Sequence, residues 1–392
     1  MLAIVLFAIG VLLLFWTLVG FPLALAHRAG RLRAAGPPEA RFIADADLPA
    51  VTVVIAVHNG EAFLADKVAS IRSSDYPTDR LRIIVASDGS SDRTNQIGES
   101  LSDGETVRFV PLPRGGKAST LSAVFPLVDG EIAVLTDVRQ SLEPQCIRQL
   151  VQRFRDPAVG VVSGTLRIRS GATAGETGTG LYWRYEVWIR NNLSQVDSVL
   201  GATGGIYAMR RSLLRPIPAG CLLDDVWLPM QAVLEGSRSL IEPSAVAWDF
   251  PTSLASEFGR KVRTQAGIYQ VLQLDPRLLS PRRNRVFWSF VNLKLLRLML
   301  PHMLLLVFVA SWFLPSALRW VALAGQAVFY GAALMHRVFP ERSAAQRLTA
   351  PFAAFVTLVW AAFCAQRIFF TDPATLWTST TVGSVKETEG SA

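Results

Sequence analysis

The adjacent carboxylates Asp224 and Asp225 are the first sign of chemistry in this 392-residue chain. Like charges side by side raise the pKa of one member, which poises a carboxylate to take a proton from a hydroxyl. Downstream, Arg260 and Arg263 stand one helical turn apart on one face. Paired guanidiniums clamp a diphosphate through charge-assisted hydrogen bonds and stabilise it as a leaving group. Upstream, Lys117 follows Gly115-Gly116 and opens a helical segment, a place suited to a carbonyl or phosphate oxygen. Asp88 and Asp137 each close an apolar run, so a strand delivers each to a sheet edge. Asp88, in a turn, can also accept a hydrogen bond from a ring imino group.

Alternating strands and helices must position these groups. VTVVIAV (Val51 to Val57) follows Pro49 and predicts a buried strand. A helix is expected over Glu61 to Ser73, with Asn59 as its cap. LRIIVAS (Leu81 to Ser87) is a second strand, SDRTNQIGESL opens a second helix, and VRFVPL is a third strand. A helix from Lys117 to Phe125 precedes a fourth strand, EIAVLTD (Glu131 to Asp137). This alternation implies an α/β fold with a mainly parallel sheet, and such sheets bind ligands at the carboxyl ends of their strands. His58-Asn59, Asp88-Gly89-Ser90 and Asp137 fall at those ends. The Gly/Thr-rich stretch Arg169 to Gly180 predicts a flexible loop, and the aromatic run YWRYEVWIR (Tyr182 to Arg190) predicts a packed helix.

Several function classes are excluded or disfavoured. Three cysteines (Cys146, Cys221, Cys364) are odd in number and far apart, so no disulfide framework forms. Four scattered histidines assemble no Cys/His metal site. No GxxxxGK[ST] phosphate loop and no GxGxxG fingerprint occurs. Hydrophobic residues make up 51% and charged residues 18%, against roughly 25% charged in an average soluble domain. The apolar excess sits at the ends. Leu2 to Ala26 is almost uninterrupted and long enough to span a bilayer, with Arg28, Arg31, Arg33 and Arg41 behind it. The positive-inside rule then puts the N-terminus outside and the following domain in the cytoplasm. Three more spans are expected at Met299 to Leu314, Leu318 to Met335 and Pro351 to Phe370, with a basic loop carrying Arg337, Arg342 and Arg347 between the last two. Pro281 to Leu300, with alternating cations and aromatics, predicts an interfacial amphipathic helix with Trp288 at headgroup depth. Much of the net charge of +8 is thus a juxtamembrane collar, which accounts for it without nucleic acid.

VTVVIAVHNGE, IIVASDGSSDRT, RGGKASTLSAV, GEIAVLTD, LLDDVWLP and RKVRT resemble, in order and spacing, the landmarks of inverting family-two glycosyltransferases of the membrane-bound polysaccharide synthase and ceramide glucosyltransferase-like type. The resemblance implies a GT-A type nucleotide-diphospho-sugar-binding sandwich over residues 48–275. Around it lie an anchor at 1–27, a linker at 28–47, an interfacial helix at 276–298, membrane helices at 299–372 and a tail at 373–392. It implies a nucleotide-sugar donor, most simply a UDP-sugar, held by Val57, Asn59, Asp88, Lys117, Asp137, Arg139, Arg260 and Arg263. It implies Asp225 as general base beside Asp224, an acceptor loop at Thr203, Gly204 and Gly205, and Mg²⁺ or Mn²⁺ at Asp137. The acceptor would be a polysaccharide or a lipid at the cytoplasmic face of an inner or plasma membrane, with membrane lipids and further copies of the chain as partners. Two departures stand out. Asp137-Val138-Arg139 replaces the usual Asp-x-Asp, putting a cation where a metal-binding carboxylate is expected. Thr264 replaces the tryptophan that supports the acceptor sugar in polymerising members. Both features favour the alternative of a non-catalytic membrane scaffold, which Asp225 and Lys117 oppose.

Overall fold

The computed structural model describes residues 1–34, 43–168, 176–250, 254–340 and 343–376, with side chains described except at 176–181 and 254–256. Among these residues, eight strands form one sheet: β1 (Val51–Val57), β2 (Leu81–Asp88), β3 (Val107–Leu112), β4 (Ile132–Asp137), β5 (Ser141–Leu142), β6 (Val159–Ile168), β7 (Ile206–Arg210) and β8 (Arg238–Asp249). Their order is β3-β2-β1-β4-β7-β6-β8-β5. The half from β3 to β4 is parallel. In the other half β7 is antiparallel to both β4 and β6, β8 is parallel to β6, and β5 is antiparallel to β8. The sheet is therefore mixed, with its donor-like half parallel as expected.

The β-branched runs are buried because both faces are covered. Successive residues point to opposite sides. Val54, Ile84, Ala133 and Leu135 join one apolar core, while Val53, Ile55, Ile83, Val85 and Val134 join another. The second core takes the helices Leu64–Arg72 and Cys146–Gln152. The first takes Lys117–Val124 and Asp224–Leu234 and runs on without interruption through Leu278, Phe290, Leu293, Ala365 and Ile368. The sheet and the C-terminal apolar helices thus share one core.

Some boundaries differ from expectation. The first helix starts at Leu64, not Glu61, and Asn59 does not cap it. Instead Asn59 adopts φ 50°, and its Oδ1 accepts from Ser91 N at 2.8 Å. Gly60 N and Glu61 N donate to Thr94 Oγ1 and Asp92 Oδ2. The donors that would have opened the helix are used to tie the β1 turn to the β2 turn. The expected loop at 169–180 lies partly outside the described residues, and a helix already runs over Glu176–Val196. Once packed, extending a helix by a turn costs little.

The N-terminal helix continues from Leu2 to Ala34, so residues 28–34 are helical rather than linker, and a π-helical turn interrupts it at Trp16–Gly20. Among the described residues, three helices are long and apolar enough to cross a membrane: Leu2–Ala34, Ser316–Met335 and Ala344–Phe369. The expected span at Met299 to Leu314 is a 12-residue helix, Leu300–Ser311. That is roughly 18 Å at 1.5 Å per residue, short of a bilayer core. It pairs with Phe287–Leu298 across a 59° bend, and Pro301 at the start of the second limb supplies the break.

Candidate functional site

The carboxyl ends of β1, β2 and β4 converge, as the register pairs Ala56 with Asp137 and Val57 with Ser87. Asp88, at the end of β2, is buried. Its carboxylate accepts from Gly115 N at 2.7 Å and Gly116 N at 3.0 Å and forms an ion pair with Arg114. The side chain singled out for a nucleobase therefore also shapes the loop that delivers Lys117. Position 89 requires glycine, since its φ is +59° and a Cβ there would lie 2.7 Å from Arg114 N.

Lys117 opens its helix directly above the strand ends. Its Nζ lies 2.9 Å from Asp137 Oδ1 and 3.2 Å from Asp224 Oδ2. The helix Asp224–Leu234 starts at these carboxylates, and Leu223, not Asp224, is its cap residue. Asp224 is thus spent on Lys117 rather than on capping. Asp225 is raised to about 6 by burial first and by the charge of Asp224 second, against the pull of Lys117 and Arg263. Ala202 N donates to the Asp225 backbone carbonyl at 2.7 Å. A Cβ on Gly204 would sit 2.8 Å from Asp225 Oδ2. Glycine at 204 is what lets the loop lie against the carboxylate. Thr203 is fixed by its N–H to Ser163 Oγ at 2.8 Å and its hydroxyl to Gly164 O at 3.0 Å. Gly205 O accepts from Thr136 Oγ1 at 2.7 Å.

The two arginines divide. Arg263 lies within electrostatic reach of Asp137, Asp224 and Asp225. Arg260 is half-exposed and lies beside Glu257 at 3.9 Å. Arg139 does not point at the others. It makes a bidentate pair with Asp249 at the end of β8, at 2.7 and 2.8 Å. The structure therefore brings together Asp137, Lys117, Asp224, Asp225 and Arg263. Val57, Asn59 and Asp88 line the adjoining strand ends, and Thr203 to Gly205 stand against Asp225.

Three contributors escaped the sequence reading. Lys67 is fully buried, donates to Thr136 Oγ1 at 2.7 Å and to Gln140 O, and is lowered to about 7 by burial. It ties the end of β4 to the loop at Gly205 through Thr136. A lysine on the same helix face as Leu64, Val68 and Ile71 was the available signal. Tyr207, fully buried on β7, is raised well above its ordinary value by burial and by the three nearby carboxylates. Arg190 donates to Ser163 Oγ at 2.8 Å and so supports the Thr203 loop.

Residues 52–217 match the family described as glycosyl transferase family 2. Among the relatives, a probable glycosyltransferase of Bacillus subtilis is 25% identical over 259 residues, covering 62% of this chain and 61% of that one. The beta-monoglucosyldiacylglycerol synthase of Synechocystis is 30% identical over 158 residues, 38% and 32% of the two chains. The poly-beta-1,6-N-acetyl-D-glucosamine synthase of Staphylococcus epidermidis is 24% identical over 255 residues, 63% and 59%. The chain thus spans less than two thirds of the length of each of these relatives. Among solved structures, a mannosyltransferase of Pyrobaculum calidifontis in complex with GDP-Man and Mn²⁺ superposes with a TM-score of 0.68 at 21% identity. That likeness covers 91% of this chain and 99% of that one, and it establishes the fold. Residues 52–217 thus match the glycosyl transferase family 2 model, and the sheet they contribute to has a GT-A type fold and shares its core with the C-terminal helices.

Proposed function

We propose that the chain transfers a sugar, with inversion, from a nucleotide-diphospho-sugar, in the first instance a UDP-sugar, to a carbohydrate or lipid acceptor at the cytoplasmic face of the membrane. The observation that carries this reading is Asp225: a half-buried carboxylate raised to about 6, flanked by cations and faced by a glycine backbone. An acceptor hydroxyl lying over Gly204 would give its proton to Asp225 as its oxygen bonds to the anomeric carbon. The bond from that carbon to the diphosphate oxygen breaks, and the electron pair leaves with the diphosphate. Arg263 and Lys117, with Arg260 further out, supply the positive charge for that leaving group. Asp137 and the strand ends at Val57, Asn59 and Asp88 would hold the nucleoside side of the donor.

The donor set bears on a metal. Position 139 holds an arginine tied to Asp249, and the Asp137 carboxylate lies on Lys117. Among the described residues no group of three His, Cys, Asp or Glu side chains is gathered as ligands. These residues do not fit a resident Mg²⁺ or Mn²⁺ held by protein ligands alone, since hard divalent ions require several oxygen ligands. The steps above are therefore written without one. An ion brought in on the donor's diphosphate would find Asp137 as its one protein carboxylate.

The test is release of nucleoside diphosphate by the purified full chain in detergent from a panel of nucleotide sugars, with and without Mg²⁺ or Mn²⁺. Release that is abolished in Asp225→Asn is expected. No release from any donor, or release unchanged by that substitution, overturns the reading in favour of a non-catalytic scaffold.

A further inference from the structure

Three cations gather on the membrane side of Asp225, outside the donor cluster. Arg190 comes from the helix Glu176–Val196, and Lys294 and Arg297 come from the limb Phe287–Leu298 of the bent pair. Arg297 bonds Glu186 Oε1 at 2.6 Å and lies 5.6 Å from the centroid of the Tyr185 ring. Lys294 forms no hydrogen bond or ion pair among the described residues. It lies within electrostatic reach of Glu186, Arg190, Arg297 and Asp225. Arg190 also feels Asp225 and Glu186. One carboxylate, Glu186, thus faces three cations before Asp225 is reached. In addition, Arg190 Nε and Arg297 Nη2 are buried with no hydrogen-bond partner among the described residues. Uncompensated charge and orphaned donors at this depth are costly unless a ligand completes them.

The surroundings describe that ligand. The cations stand where the domain meets the apolar helices, and Trp183 and Trp288 are exposed nearby at 46% and 70%. Tryptophans so placed suit the interface between headgroups and acyl chains. A guanidinium pair with an ammonium suits a phosphate diester or monoester.

We propose that this cluster binds the phosphate of an anionic lipid acceptor whose head group carries a free hydroxyl beyond that phosphate, as in a phosphoglycerol head group. The inference rests on the transferase reading above and names its acceptor class. With the phosphate at Lys294, Arg297 and Arg190, the distal hydroxyl reaches toward Asp225. Its oxygen bonds to the anomeric carbon, its proton passes to Asp225, and the diphosphate leaves with the electron pair of the broken bond.

The full chain in detergent is titrated calorimetrically with dioctanoyl phosphatidylglycerol, dioctanoyl phosphatidylcholine and dioctanoylglycerol. Phosphatidylglycerol is expected to bind at least tenfold more tightly than the other two, with an affinity that falls as salt is added. Lys294→Met should weaken that binding by about tenfold, the worth of one charge-assisted hydrogen bond. Lys294→Arg should restore it, while phosphatidylcholine binding stays the same in all three proteins. Equal binding of the three lipids, or a preference that Lys294→Met leaves intact, overturns the anion site. A second arm follows label from the nucleotide-sugar panel. Label moving to phosphatidylglycerol ahead of dioctanoylglycerol supports the acceptor class, and equal labelling of both sinks it while leaving the transferase reading in place. Charge-selective binding without transfer from any donor sinks the transferase reading and leaves the anion site standing.

Discussion

Asp225 carries a pH dependence whose sign follows from its environment. Raised to about 6, the carboxyl is protonated below that pH and cannot accept the acceptor's proton. The rate of transfer should therefore climb as pH rises through about 6 and level off above it, and Asp225→Asn should lower kcat by about 10²–10⁴-fold. Stability moves the other way. A folded-state pKa above the ordinary carboxyl value of 3.8 means the folded chain holds this proton more tightly than the unfolded chain. The stabilisation is fully present below 3.8 and is lost as pH rises through about 6. Asp225→Asn should accordingly raise the melting temperature at pH 8 while removing activity, and a lower melting temperature would contradict the burial argument. At the neighbouring position, Gly204→Ala places a methyl 2.8 Å from Asp225 Oδ2. Its expected signature is a loss of kcat with nucleoside diphosphate binding kept, measured by titration. Asp225 and Lys117 were legible as a pair of motifs. Lys67 was not, because a buried lysine whose charge is met by Thr136 and a carbonyl rather than a carboxylate leaves no second charge to read.

At the scale of elements, the pair Arg139–Asp249 fastens the turn after β4 to the end of β8. Both side chains are largely buried, at 17% and 4% exposure. Asp249→Leu leaves a buried guanidinium alone and should cost about 3–5 kcal/mol in chemical denaturation, with Arg139→Met/Asp249→Leu recovering most of it. If the double variant is as unstable as the single one, the pair is not the fastening. This function for Arg139 was hidden in the sequence because its partner lies 110 residues away at the end of a strand. That strand, β8, contains Pro243 and pairs with β6 through register shifts. The parallel half was far easier to read. Val51–Val57 and Ile132–Asp137 follow directly from largely apolar runs buried on both faces. The false start at Glu61 shows where such reading stops: Asn59, a good cap by type, had a better partner in Ser91.

For the whole molecule, the apolar and basic averages divide into a sandwich and a set of helices that continue its core. The topology depends on the parity of crossings, which turns on the short helix Leu300–Ser311. Trp16 Nε1 donates to Asn292 Oδ1 at 2.7 Å, and Gly10 lies against Val307, where a Cβ would come within 2.6 Å. Moving from Trp16 to Gly10 toward the N-terminus accompanies moving from Asn292 to Val307 toward the C-terminus, so the bent pair runs antiparallel beside Leu2–Phe15. Its Ser311 end heads toward the same side as Met1, which favours a crossing rather than a return. With four crossings, the loop bearing Arg337 and Arg347 shares the side of the catalytic domain, as the positive-inside rule requires. A re-entrant limb would put that loop on the opposite side. Single cysteines introduced into a cysteine-free background separate the two arrangements. Leu2→Cys and Asp372→Cys should react with a membrane-impermeant maleimide in intact cells, and Arg337→Cys only after permeabilisation. Labelling of Arg337→Cys in intact cells would make the bent pair re-entrant and reverse the last two spans.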